Sequence, residues 1–272
     1  MAAASIEVQN NPDDNSSEQF VLLKIQAPSP EQIGLKIICV SDTHDFHNGM
    51  KYKLPTSDIL IHAGDFTCRG SKEEVSNFQN WMETLLGNGT IKHAIVIAGN
   101  HELSFQDGRS KHKAVIETQR EMKKNLISVP NLHYLEDSGV CLLGIDFYGS
   151  PWTLPVNGKC TWAFQERDRI DEIGQRWKDI PLTTNILITH CPPYGQGDET
   201  EENKSGRTVT HGGSHTLLTK VLEINPLLHI FGHFHEGHGV SSHPDTKTTF
   251  VNAAICDEDY HPDHLPILIE FI

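Results

Sequence analysis

Asp42 and His44 stand two residues apart, and so do His233 and His235. Between the two pairs lie Asp65, the neighbours Asn100 and His101, and His190. In extended backbone, residues i and i+2 project to the same side, so each pair can converge on one point. Asn100 and His101 are adjacent and project apart, so one can ligate while the other does different work. Carboxylate, imidazole and amide oxygen together suit a hard or borderline divalent cation such as manganese, iron, magnesium or zinc. A bridging aspartate can hold two such ions roughly 3.5–4 Å apart, a spacing that clamps a phosphoryl group and activates a water.

These side chains need elements that carry them to one place. Each follows a short apolar run. Leu35 to Val40 leads to Asp42, Asp58 to Ala63 to Asp65, and Ala94 to Ala98 to Asn100. Asn185 to Thr189 leads to His190, and Leu227 to Phe231 to His233. The runs are continuous and rich in β-branched residues, the pattern of strands covered on both faces of a mostly parallel sheet. Ligands bind beyond the carboxyl ends of such strands. Gly64, Gly99 and Gly232 precede three of the candidates and leave room for a sharp turn or a close approach. Helical periodicity falls at Glu73 to Leu86, with Val75, Phe78, Met82 and Leu85 on one face, and at Arg109 to Lys124 and Thr216 to Ile224. Alternation of strand and helix gives an α/β fold. Leu132 to Leu135, Val140 to Tyr148, Thr246 to Ile255 and Ile267 to Ile272 read as a second, more antiparallel set of strands. Residues 1–30 are rich in Asn, Ser, Asp, Glu and Pro. They read as a largely disordered segment ending in one edge strand at Phe20 to Gln26, ahead of a single domain over 31–272.

The 272 residues suffice for one large domain. A net charge of −14 repels nucleic-acid backbones, so long nucleic acid is excluded as a partner while a small phosphate ester is not. No apolar run is long enough for a membrane, and no secretory h-region is visible; the expected location is the cytoplasm. The six cysteines form no C-x-x-C pair, which argues against a zinc ribbon or a disulfide framework. Cys39 and Cys141 lie in apolar runs and read as small core residues.

Five blocks, Asp42-Thr43-His44, Gly64-Asp65, Gly99-Asn100-His101-Glu102, Thr189-His190 and Gly232-His233-Phe234-His235, resemble in content and order the signature blocks of the calcineurin-like metallophosphoesterases. The stretches His62 to Thr67, Gly149-Ser150-Pro151-Trp152, His190-Cys191-Pro192-Pro193 and Gly232 to Gly239 are similar to the subgroup called metallophosphoesterase domain-containing proteins. The resemblance implies a four-layer α/β/β/α sandwich of two mixed sheets flanked by helices, with the metal site at the carboxyl ends of the strands. It implies two divalent ions, with manganese favoured. Asp42, His44, Asp65 and His235 would hold one. Asp65, Asn100, His190 and His233 would hold the other, with Asp65 shared. A hydroxide bridging the ions would be the nucleophile and His101 the general acid. In related Ser/Thr phosphatases a second Asp after Gly-Asp orients that histidine, and here Cys68 stands in its place. Some animal members of the subgroup have Gly where this chain keeps His233.

The function implied is a phosphodiesterase acting on small cyclic or linear nucleotide diesters. The alternatives are a phosphomonoesterase or protein phosphatase, and a metal-binding scaffold. Other residues admit two readings. Arg69 and His211 are candidate substrate contacts, set against a solvated loop arginine and, with His215, mobile-loop histidines. His62, inside an apolar run, reads as a satisfied core histidine. Trp152 and Tyr194 could stack on a nucleobase or pack in the core or rim. A phosphomonoesterase needs a basic grip on phosphate, for which Arg69 and Arg207 are the nearby candidates.

Overall fold

The computed structural model describes residues 5–10, 19–155, 158–202 and 208–272. Its seven-stranded sheet is built from β1 (Ser5–Asn10), β2 (Gln19–Ile25), β3 (Lys36–Val40), β4 (Ser57–Ala63), β5 (Ile91–Ile97), β6 (Leu132–Tyr134) and β15 (Ile267–Phe271), in the order β1-β2-β15-β3-β4-β5-β6. The six-stranded sheet contains β7 (Ser138–Leu142), β8 (Ile145–Ser150), β9 (Ile186–Thr189), β12 (Leu228–Phe231), β13 (Gly239–Ser242) and β14 (Thr249–Asn252), in the order β13-β14-β12-β9-β8-β7. A small hairpin, β10 (Glu199–Glu202) and β11 (Thr208–His211), stands apart from both.

Alternation along the strands explains the layering. Ile37, Cys39, Ile59, Ile61, Ile95 and Ile97 share one buried cluster with Phe147, Ile186, Ile188, Ile230 and Val251 of the other sheet. The intervening residues Ile38, Leu60 and Val96 join a cluster with Val75, Phe78 and Met82 of α1 (Lys72–Gly87) and Leu126 of α2 (Lys113–Ile127). On the second sheet the outward residues Leu187, Phe231 and Phe250 belong with Ile173 and Trp177 of α3 (Ile173–Lys178) and Leu217 and Val221 of α4 (His215–Ile224). Period-2 side chains facing two ways thus produce the α/β/β/α sandwich expected from the sequence. Among the described residues no helix is long and apolar enough to cross a membrane.

Several expectations need correction. The five ligand-bearing strands do not end on one sheet. β3, β4 and β5 run parallel in the first, whereas β9 and β12 run parallel in the second. Conversely, β6 and β15, expected in the second set, belong to the first. Continuous apolar runs report burial on both faces but carry no record of which sheet supplies the neighbours. The run Val140 to Tyr148 is broken by Leu143 and Gly144, both at positive φ, into the hairpin β7–β8. Cys141, on edge strand β7, is exposed rather than in the core. Helix α2 begins four residues later than Arg109, whose guanidinium donates to the carbonyls of Trp162 (2.7 Å) and Thr161 (2.8 Å).

The amino-terminal segment departs most. β2 pairs with β1 on one side and with β15 on the other, so it is an interior strand, and Leu23 on it is fully buried. The strand read at Phe20 to Gln26 is present, but its alternation completes the inter-sheet core from an interior position; residues 1–4 and 11–18 lie outside the described residues. Leu23→Ala is therefore expected to lower the unfolding free energy by about 2–5 kcal/mol, measured by chemical denaturation. A change within about 0.5 kcal/mol, the value for an exposed site, would return the segment to a loose tail.

Candidate metal centre

The loops that follow β3 and β4 run side by side. Asp42, His44 and Asp45 donate their amides to the carbonyls of Gly64 (2.9 Å), Asp65 (3.0 Å) and Phe66 (3.1 Å). Along this seam Asp42, His44 and Asp65 adopt positive φ of 51°, 42° and 54°, and His233 does so at 73°. Non-glycine residues rarely occupy this region, and clusters of them gather at ligand sites where the surroundings over-determine the backbone. The pairs Asp42/His44 and His233/His235 therefore converge through left-handed turns, not through the extended backbone assumed from their spacing.

Each carboxylate is aimed by the loop of another ligand. The His233 amide donates to Asp42 Oδ2 (2.9 Å) and the His101 amide to Asp65 Oδ1 (2.8 Å). That leaves Asp42 Oδ1 and Asp65 Oδ2 facing the cluster. Three histidines are aimed by backbone carbonyls at Nδ1: His44 by Thr67 (3.3 Å), His190 by Ala63 (3.0 Å) and His235 by Asp257 (2.8 Å). Donation from Nδ1 fixes the tautomer and turns Nε2 to the centre, the arrangement metal-bound histidines adopt. Two glycines make the approach possible. A Cβ on Gly232 would overlap Asp42 Oδ2, and one on Gly99 would overlap Asp65 Oδ1; neither has positive φ, so their service is space.

The side chains gather into two groups that could each hold a cation: Asp42, His44 and His235, and Asp65, His190 and His233. Asp65 also groups with His44 and His101, so it stands between them. Asn100 Oδ1 lies 3.1 Å from His190 Nε2. All seven expected ligands are thus brought together, from both sheets. The donor set fits a divalent ion. Asp42 Oδ1 and His233 Nε2 are buried without a hydrogen-bond partner, a costly state that coordination would relieve.

Electrostatics point the same way. Burial lowers the pKa of His44 to about 4 and of His233 to about 3, so both are neutral and able to ligate. For His190 and His235, burial acts downward but is outweighed by Asp65 and Asp42, respectively, and both are raised. The two carboxyls, whose burial alone would raise them, are pulled down by these same histidines. Without an added cation, His190 and His235 are the protonated counter-ions of the buried carboxylates.

His101 borders the cluster with Nε2 4.0 Å from Asp65 Oδ2. Its Nδ1 donates to the carbonyl of Cys68 at 2.6 Å. The orienting group is a backbone atom, which the identity of residue 68 does not announce. Trp162 stacks on the His101 ring at 4.4 Å and 23°, and Arg69, exposed, sits with its guanidinium 5.6 Å from the Trp162 ring. Tyr260 packs against His44 (4.8 Å) and His235 (5.1 Å). Trp162 and Tyr260 follow no motif and come from irregular segments, so spacing had no means of finding them.

Other residues fall outside the cluster. His211 ends β11, and its Nδ1 pairs with buried Asp198 at 2.7 Å; His215 opens α4 and stacks on Tyr194 at 3.7 Å. Neither is a loop histidine. Trp152 is buried, with Nε1 donating to Asp137 (2.8 Å) and the Arg176 guanidinium on its ring. His62 is fully buried, and its Nε2 meets Thr43 Oγ1 at 3.0 Å, pinning the turn between Asp42 and His44 from inside the core. Arg207 lies outside the described residues.

A family model described as calcineurin-like phosphoesterase matches residues 35–237. Metallophosphoesterase domain-containing protein 1 of Homo sapiens is 38% identical over 254 residues, spanning 90% of this chain and 73% of that protein. UPF0046 protein K07C11.7 of Caenorhabditis elegans is 37% identical over 241 residues, 86% of this chain and 74% of its own. In structure, TT1561 of Thermus thermophilus aligns with a TM-score of 0.51 at 12% identity over 80% of this chain and 88% of that one. The phosphopantetheinyl hydrolase PptH of Mycobacterium tuberculosis aligns with a TM-score of 0.50 at 13% identity over 84% and 92%. At that identity the two structures speak for the fold.

Two outcomes follow from this geometry. Manganese uptake by metal-free protein near pH 7.5 should release about two protons, those of His190 and His235, because ligation needs neutral imidazole. Their raised pKa values also make uptake tighten as pH rises. Calorimetry in buffers of different ionisation enthalpy reads the proton count, and a count near zero contradicts the charge assignment. Thr43→Val, which removes the contact with His62, should weaken manganese retention by roughly tenfold while the protein still unfolds cooperatively. Equilibrium dialysis measures the first quantity and thermal denaturation the second.

Proposed function

Because the chain belongs to the calcineurin-like phosphoesterase family, and is a metal-dependent phosphoester hydrolase, we propose that it cleaves small phosphodiesters, nucleotide diesters foremost, at a two-ion centre. The observation that carries the reading is the placement of Asp65 between two buried ligand groups, with His101 on their border. One ion would be held by Asp42, His44, Asp65 and His235, and the other by Asp65, Asn100, His190 and His233. Bound there, divalent ions would neutralise phosphoryl charge and acidify a water, and manganese suits this mixture of carboxylate, imidazole and amide. His101 supplies the proton: Nδ1 stays committed to the Cys68 carbonyl, and Nε2 faces the cluster, where it delivers a proton to the departing alkoxide.

The preference for a diester rests on charge. A phosphomonoester carries a second negative charge and favours a grip of several guanidinium groups. Among the described residues near Trp162, Arg109 has donors committed to two carbonyls, and Arg69 is the guanidinium assigned to meet a substrate oxygen. The net charge of −14 disfavours long polyanions.

Purified protein with manganese should hydrolyse bis-p-nitrophenyl phosphate faster than p-nitrophenyl phosphate. Asp65→Ala should abolish turnover. His101→Ala should retain manganese yet lose roughly 10²–10⁴ in kcat on a diester with an alkoxide leaving group, such as a cyclic nucleotide. The loss on p-nitrophenyl esters should be smaller, since that leaving group departs without a proton. Preference for the monoester would move the assignment to a phosphomonoesterase, and full metal occupancy without turnover would move it to a scaffold.

A further inference from the structure

Tyr260 is a bulky residue at φ 63°, a backbone state that such side chains take only under constraint. The constraint is a compact turn. The amides of Asp259 and His261 donate to Asp257 Oδ1 (3.0 and 2.8 Å), and the Tyr260 amide donates to the Asp257 carbonyl (3.0 Å). That same carbonyl accepts Nδ1–H from His235. One turn thus aims a candidate ligand and presents an aromatic ring. The ring meets His44 and His235 at steep interplanar angles of 61° and 73°, and it remains 46% exposed. Aiming His235 accounts for the turn, but not for a large aromatic ring set against two candidate ligands with half of its surface left in solvent. Trp152 and Tyr194, the other aromatics considered for a planar ligand, are engaged with Arg176 and His215.

Resting on the diesterase reading, we propose that Tyr260 is the stacking platform for a planar group of the substrate, a nucleobase or an aryl ester, at the mouth of the metal centre. Stacking on one aromatic side chain is sequence-tolerant, because every base has a π-face, and contributes of the order of tenfold in affinity. The platform therefore selects nucleotides over sugar phosphates without selecting strongly among bases.

The test titrates manganese-loaded protein with AMP and with ribose 5-phosphate by calorimetry. It uses the wild type, Tyr260→Phe and Tyr260→Asn; asparagine tolerates the left-handed backbone and lacks the ring. AMP is expected to bind roughly tenfold more tightly than ribose 5-phosphate to the wild type and to the Phe variant. The Asn variant should lose that ratio, with ribose 5-phosphate affinity within about twofold of wild type. Equal affinities in the wild type, or an equal loss of both ligands in the Asn variant, would overturn the proposal. So would loss of manganese from the Asn variant, which would show the ring serving the ions alone. Hydrolysis of bis-p-nitrophenyl phosphate by the same samples reports separately on the diesterase reading. Turnover without an AMP preference sinks only the platform; a Tyr260-dependent AMP preference without turnover sinks only the diesterase.

Discussion

Asp42 and Asp65 are two carboxylates almost wholly removed from solvent in one small space, and the rest of the site answers that burden. A buried charge without compensation costs far more than any neighbouring contact returns. Each therefore has one oxygen on a backbone amide, and His190 Nε2 lies 3.1 Å from the second oxygen of Asp65. Neither measure is complete, since Asp42 Oδ1 has no hydrogen-bond partner. A fold stable on its own terms would place apolar side chains there. That carboxylates stand there, in left-handed turns, means that local stability has been given up for a site that gains when cations arrive.

A third buried carboxyl shows how the turns are held. Glu102 follows His101 and could be mistaken for a ligand. Its oxygens accept instead from the amides of Asp65 (2.9 Å), Thr67 (2.9 Å) and Gly99 (2.6 Å), and from the Thr67 hydroxyl (2.8 Å). With its acceptor capacity filled, it has nothing to offer a metal ion. It ties the loop after β4 to the loop after β5, so one side chain helps to fix Asp65 between the two ligand groups and His101 at their border. Burial and the nearby charge of Asp65 push its pKa up, against the pull of the Gly99 and Thr67 donors that favour the ionised form; cations bound at Asp65 would remove much of the second cause.

The site was more legible in the sequence than the fold that carries it. Asp42, His44, Asp65, Asn100, His190, His233 and His235 are named by type and by position after apolar runs, because a strand end delivers a side chain to a sheet edge whichever sheet it belongs to. Strand partners are long-range, so nothing in the runs before His190 and His233 states that they sit in the second sheet. The same limit hid β1, and it hid the two partners that make β2, read from the sequence as an edge strand, an interior one. Interactions made by backbone atoms are invisible to residue identity: the carbonyls of Thr67, Ala63 and Asp257 that set three tautomers, and that of Cys68 behind His101, could belong to any residue. Aromatics on irregular segments, Trp162 and Tyr260, have no periodicity to betray them.

The Cys68 carbonyl has a chemical consequence that a carboxylate in its place would not share. A carboxylate would add a full negative charge beside the imidazole. A carbonyl is a neutral dipole that accepts from Nδ1–H whether or not Nε2 is protonated. The Nδ1 contact therefore holds the aim of the ring, and Trp162 stacked on its face adds to the restraint. The ring is thus held by position and not by a neighbouring charge, and the negative charge of the site is concentrated in the ligand cluster around Asp65.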